Sequence, residues 1–301
     1  MIPTSARVGR LRSGRTITAG IGGVMLLSVV LFALLYPLTP GYDPYAQELS
    51  DAFTRPFVTA HYPLGTDSLG RDLASRLALA GRITLGLVVV IVLVNAVIGV
   101  LIGTVSGYFR GPLDNLLMGI ADVQLAVPIS LIIMALSAIR GPSVLLMATI
   151  LGVTFWVGYA RVSRSVALGL AARDFVIAPR LLGARPGWVM RKHILPHALV
   201  PAGILATADL GNVMIMISSF DYLGLGVQPP TPSWGLMITD GQKYVRQAPY
   251  LTIVPAVALL LVIAGTLLIS QRFTAQEPGL RRTTRAPRAR RTTPRAKAVA
   301  A

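Results

Sequence analysis

Six stretches of the chain are apolar enough, over enough residues, to cross a lipid bilayer: Ile17–Tyr36, Ile83–Ser106, Asn115–Ile139, Ser143–Tyr159, Leu199–Phe220 and Leu251–Ile269. A helical span needs about 20 residues, with about 17 as its lower limit, and the fourth stretch sits at that limit. None alternates polar and apolar residues with the period of two that a barrel strand requires. Backbone polar groups in hydrocarbon are satisfied only within helices or closed barrels. The pattern therefore predicts an all-α integral membrane protein, a bundle of six transmembrane helices. The first stretch follows four arginines, as a signal peptide would. It ends in Tyr36-Pro37-Leu38-Thr39-Pro40 rather than a small-residue cleavage site, and is read as a retained span.

Composition agrees. Hydrophobic residues make up 53% of the chain and charged residues 13%, about half the usual charged share of soluble domains. There is no cysteine, which excludes disulfides, thiolate-bound metals and thiol catalysis. The net charge of +16 would suit nucleic acid, but no recognition fold accompanies it. Its distribution suits membrane orientation instead. Four Lys/Arg lie in the N-terminal tail, one is Arg110, seven lie between the fourth and fifth spans and nine run from Arg272 to Lys297, against seven on the other side. This asymmetry predicts that both termini are cytoplasmic.

The chain then divides into a basic tail (1–16), a first helix (17–36) and an outer loop with a short amphipathic helix at Leu73–Ala80 (37–82). A transmembrane core follows (83–270), and then a basic tail (271–301) too poor in large apolar residues to fold. Within the core, the inner loop 160–198 is not linker-like. Val166, Leu170, Phe175, Ile177, Leu181 and Leu182 punctuate a helix-compatible stretch that Gly183 breaks. Pro186 starts a second short helix carrying Trp188, Val189, Met190, Ile194 and Leu195, and Pro196 is expected to end it. Such a knob fits either an interfacial position on anionic lipid or a groove of a cytoplasmic partner.

The residues Asp174-Phe175-Val176-Ile177-Ala178-Pro179-Arg180-Leu181-Leu182-Gly183-Ala184, with His193-Ile194-Leu195-Pro196 after them, resemble the EAA loop of ABC-importer permeases. Three further stretches are similar to the C-type permeases of dipeptide and oligopeptide importers, and closely also to nickel-type ones. They are His61–Asp72, Leu223–Gly235 in the outer loop 221–250, and Gly107-Tyr108-Phe109 with Asp114, Met118, Asp122 and Pro128. The resemblance implies a type I importer permease fold with a cytoplasmic coupling-helix loop, in a bacterial inner membrane. It implies as partners a homologous sister permease, two cytoplasmic ATPases that hold the ATP and magnesium, and an extracytoplasmic binding protein. The implied coupling residues are Asp174, Phe175, Ile177, Ala178, Pro179, Arg180, Leu181, Leu182, Gly183 and Ala184. Ile177 and Pro179 stand where the family has Glu and Ala. The proline implies that the coupling helix either starts near Ala178 or is kinked there.

Asp122 and Asp209 are acids within spans, a costly placement that points to an interior or aqueous face. They are candidates for a polar pathway with Asn212 and Met216; alternatively, Asp122 pairs with a basic residue near the inner interface. Gly99, Gly103 and Gly107, spaced by four, make a face for close helix packing, within the chain or against a sister subunit. Asp67 and Asp72 are expected to cap helices, with Arg71 paired to one of them. Pro128 is expected to kink the third span. His61, His193 and His197 form no metal-ligand grouping, and no phosphate-cradling Gly-Lys-Ser/Thr sequence occurs. The chain is therefore expected to catalyse nothing itself and to bind no cofactor or metal. The rivals are a standalone secondary transporter or channel, and a membrane scaffold.

Overall fold

The computed structural model describes residues 5–274, with side chains described for 18–272. The side chains of the N-terminal arginines, and the basic tail beyond residue 274, lie outside the described residues. Helix α1 (Ser5–Leu35) is followed by the loop that leads to α2 (Leu73–Phe109). Two helices, α3 (Gly111–Ala126) and α4 (Ile129–Arg140), come next, then α5 (Val144–Gly152) and α6 (Trp156–Leu170). Short helices α7 (Asp174–Leu181) and α8 (Pro186–Val189) precede α9 (Leu195–Tyr222), α10 (Trp234–Gln242) and α11 (Tyr250–Thr274). No strand occurs among the described residues, only one isolated bridge between Thr66 and Asp72. Among the described residues, five helical units are long and apolar enough to span a membrane, six when the bent pair α3–α4 counts as one.

The sequence boundaries shift in several places. The stretch Leu73–Ala80 is not a separate helix but the first turns of α2, which runs unbroken for 37 residues. Asp72 caps it, accepting from the backbone N–H of Ala74 and Ser75 at 3.1 and 2.9 Å. Asp67 caps no helix. It holds the preceding turn through the backbone N–H groups of Leu69 and Arg71, and pairs with the Arg71 guanidinium at 2.7 Å. The third span breaks by 73° before Pro128, where Val127 is extended, as the residue before a proline tends to be.

The fourth span does not end at Tyr159. It interrupts at 153–155 and continues as α6 to Leu170. The interruption exposes carbonyls that a membrane protein must satisfy internally. Gln124 of α3 does so. Its amide nitrogen donates to the Val153 and Thr154 carbonyls, each at 2.9 Å, and its oxygen accepts from Trp156 Nε1 at 2.8 Å.

Helices α2 and α6 share the most extensive helix–helix contact among the described residues. A Cβ at Gly103 would lie 2.9 Å from the Ala160 Cα and nearer still to its carbonyl oxygen; Gly99 and Gly107 face Tyr159 and Ala167 as closely. The glycine face thus packs within the chain, where small residues let backbones approach and dispersion replaces the missing hydrophobic drive. Helix α1 packs on α11. The main core gathers Ile91, Ile133, Met147, Leu151, Met214 and Trp234 from α2, α4, α5, α9 and α10.

Candidate functional site

Helix α7 begins at Asp174, whose carboxylate stands in the first turn and complements the helix dipole. It therefore starts earlier than Ala178 and contains Pro179. Its end is a Schellman turn: Gly183 (φ +84°) donates to the Arg180 carbonyl at 3.1 Å and Ala184 to the Pro179 carbonyl at 2.9 Å. One side of α7 is anchored. Val176 is fully buried against Tyr108 at the end of α2, Ala167 of α6, Val189 of α8 and Ile194. The Arg180 guanidinium lies over the Tyr108 ring, 5.4 Å from its centroid. The other side is open. Ala178 is exposed, Ile177 is exposed at the edge, and the tip residues Leu181 and Leu182 are 81% and 88% exposed. Phe175 lies about 6 Å from the rings of both His193 and His197.

Pro186 opens α8 at its first position, as expected. Pro196 does not close it. A π-turn over Met190–Ile194 carries the chain directly into α9, so Pro186–Tyr222 is one continuous helical unit of 37 residues. The wider turn leaves a proline near the start of α9 without breaking the axis. Val176, the anchor of the whole knob, is absent from the residues singled out in the sequence. Its burial depends on Tyr108, which is 68 positions away in the chain.

The intramembrane acids divide. Asp114, at the start of α3, is buried and bidentate with Arg164, both contacts at 2.6 Å, and accepts from the Ser106 hydroxyl. Asp122 pairs with Arg161 at 2.6 Å on an open surface of the bundle, its side chain 68% exposed. Arg161 and Arg164, just past Tyr159 in the sequence, clamp α6 to α3 in the fold. Asp209, on α9, has no basic partner among the described residues. Asn212 donates to it at 3.4 Å, a long contact. The Tyr159 hydroxyl is buried and makes no hydrogen bond among the described residues. Asn212 and Ser219 are exposed along the same side of α9, whereas Met216 is partly buried against the main core. No group of three or more potential metal ligands occurs among the described residues.

The opposite end of the bundle is tied by hydrogen bonds between distant segments. Tyr250 donates to the Thr54 and Thr66 carbonyls at 3.0 and 3.1 Å, Trp234 Nε1 to the Leu77 carbonyl at 3.2 Å, and Arg82 to the Ala33 and Leu34 carbonyls at 2.9 and 3.0 Å. Asp221 is buried there and accepts from the Val227 N–H at 2.8 Å.

Residues 99–281 match the family described as binding-protein-dependent transport system inner membrane component. The chain is 33% identical over 240 residues to the nickel transport system permease protein NikC of Escherichia coli K12, covering 80% of this chain and 86% of that protein. It is 32% identical over 248 residues to the di/tripeptide transport system permease protein DppC of Pseudomonas aeruginosa, covering 81% and 82%. It is 29% identical over 248 residues to the oligopeptide transport system permease protein OppC of Haemophilus influenzae, covering 81% and 79%. This chain belongs to the family of binding-protein-dependent transport system inner membrane components and is a multi-pass permease subunit of an ABC importer.

Proposed function

We propose that this permease forms half of the translocation pathway of a di- or oligopeptide importer in the bacterial inner membrane, paired with a homologous sister permease. Both termini and the α7–α8 knob face the cytoplasm. Two ATPase subunits bind there and supply ATP hydrolysis, which this chain does not perform, while an extracytoplasmic protein delivers cargo at the opposite end. The observation that carries the reading is the pair Leu181 and Leu182. They form an apolar tip in water, at the end of a helix whose other side is fixed by Val176. Large apolar side chains this exposed on an ordered helix call for a covering groove.

The knob is suited to transmit force. Its core joins α2, α6, α7 and α8, and α8 continues through the π-turn into α9. Closure of the ATPases would displace α7 and move α9 as a lever, carrying Asp209 and Asn212, the residues assigned here to the pathway. The test is co-purification of the ATPases with wild-type chain and with the double variant Leu181→Asp, Leu182→Asp, properly inserted. Loss from the variant alone supports docking; retention by both refutes it.

Nickel is the second reading for cargo, favoured by the 33% identity to NikC over most of both chains. Uptake of radiolabelled dipeptide and of radiolabelled nickel by the reconstituted complex decides between them.

A further inference from the structure

Asp209 lies fourteen residues into α9 and thirteen before its end, about 20 Å from either terminus at 1.5 Å per residue. A carboxylate at that depth is costly and needs a cation, a cavity or water. Two acids of α3 each have an arginine at 2.6 Å, Asp114 in its first turn with Arg164 and Asp122 with Arg161. Asp209, in the middle of α9, has no such counter-ion among the described residues. Nor does Asp209 stand among apolar neighbours only. The Asn212 amide reaches it at 3.4 Å, leaving the Asn212 oxygen free to accept. Asn212 and, ten residues from Asp209, Ser219 are exposed on α9, with the exposed Ile215 between them. An ionisable residue within a span faces the bundle interior or a water-filled cavity rather than lipid.

We propose that Asp209 is a specificity-determining residue that receives a cationic group of the cargo midway across the membrane. The two carboxylate oxygens and the Asn212 amide oxygen are three acceptors, matching the three donors of a primary ammonium. A peptide amino terminus or lysine side chain carries that group. A bare divalent metal could be attracted by the same charge, but no cluster of three or more ligands awaits it among the described residues. The proposal rests on the assignment of this face of α9 to the translocation pathway, and its test separates the two.

The chain has no cysteine, so a single Asn212→Cys reports the site. The variant is assembled with cysteine-free partners in proteoliposomes and treated with a cationic (trimethylammonium) and an anionic (sulfonate) thiosulfonate. Their rate ratio is normalised to that for a small free thiol. A water-filled site beside an uncompensated carboxylate should favour the cation about tenfold beyond that reference. Adding Asp209→Asn should abolish the preference, and Asp209→Glu should keep it. In parallel, Ser219→Cys in the otherwise unaltered chain should show a weaker preference, which keeps the test decisive if Asp209→Asn fails to insert. No reaction at Asn212→Cys in any nucleotide state overturns the pathway assignment and the proposal with it. Reaction without charge preference leaves the pathway standing and overturns the role of Asp209. In transport, free dipeptides should outpace N-acetylated ones in the wild type and lose that advantage in Asp209→Asn. Nickel uptake that depends on Asp209, with no such peptide effect, assigns the charge to a metal and overturns the ammonium reading.

Discussion

The two ends of the bundle are held by different forces. At one end, Tyr250, Trp234 and Arg82 tie segments up to 196 residues apart through hydrogen bonds to backbone. At the other end, the α7–α8 knob rests on a small apolar cluster around Val176 and Tyr108, and its tip leucines are largely exposed. Directional bonds fix one geometry. A small apolar contact holds an element in place but lets it transmit motion when pushed. The first end is built as a cap; the second, on the reading proposed above, is a part whose contacts another protein completes.

This contrast can be broken by substitution, with effects that rank. Gly103→Leu should be the most damaging, since its side chain would collide with the backbone of Ala160 rather than with a yielding side chain. A loss on the order of 3 kcal/mol or more would appear as loss of inserted, detergent-stable protein. Asp114→Ala leaves Arg164 without its bidentate partner and should cost about 3 kcal/mol, read as a lowered unfolding midpoint. Val176→Ala removes the anchor of the knob and should cost about 2 kcal/mol. It should be felt as faster hydrogen exchange in α7 and α8 while the spans stay protected. Asp72→Ala removes the cap of α2 and should cost about 1 kcal/mol, with the exchange change confined to the opposite end. Replacing Leu181 and Leu182 by Asp should leave the unfolding midpoint unchanged, because neither residue is buried in the chain. A large midpoint shift there would mean that the knob tip belongs to the core.

Much of this architecture is written in local pattern. The apolar runs announce the spans, Pro128 its own kink, Pro186 the start of α8, and Gly183 the end of α7. What the sequence conceals depends on partners far along the chain. Arg161 and Arg164 look like the polar margin of a span until Asp122 and Asp114, 39 and 50 positions away, take up their charge. Gln124 is an unremarked polar residue until the interruption at 153–155 supplies two carbonyls and an indole for it. Prolines mislead in the same way. Pro179 lies within an exposed helix, where the freed Phe175 carbonyl can turn to water, and Pro196 is absorbed by the preceding π-turn. The candidate coupling residues were visible through their resemblance to a family loop. Val176, which holds them in position, was not, because only its contact with Tyr108 distinguishes it from its apolar neighbours.

The most direct test of the account is association of the ATPases with the Leu181→Asp, Leu182→Asp chain after gentle solubilisation, beside wild type at equal insertion and equal thermal stability. Recovery of the ATPases with wild type and their loss from the variant is the result expected of a docking tip. Equal recovery from both would place the contact elsewhere and contradict the assignment of α7 as the coupling element.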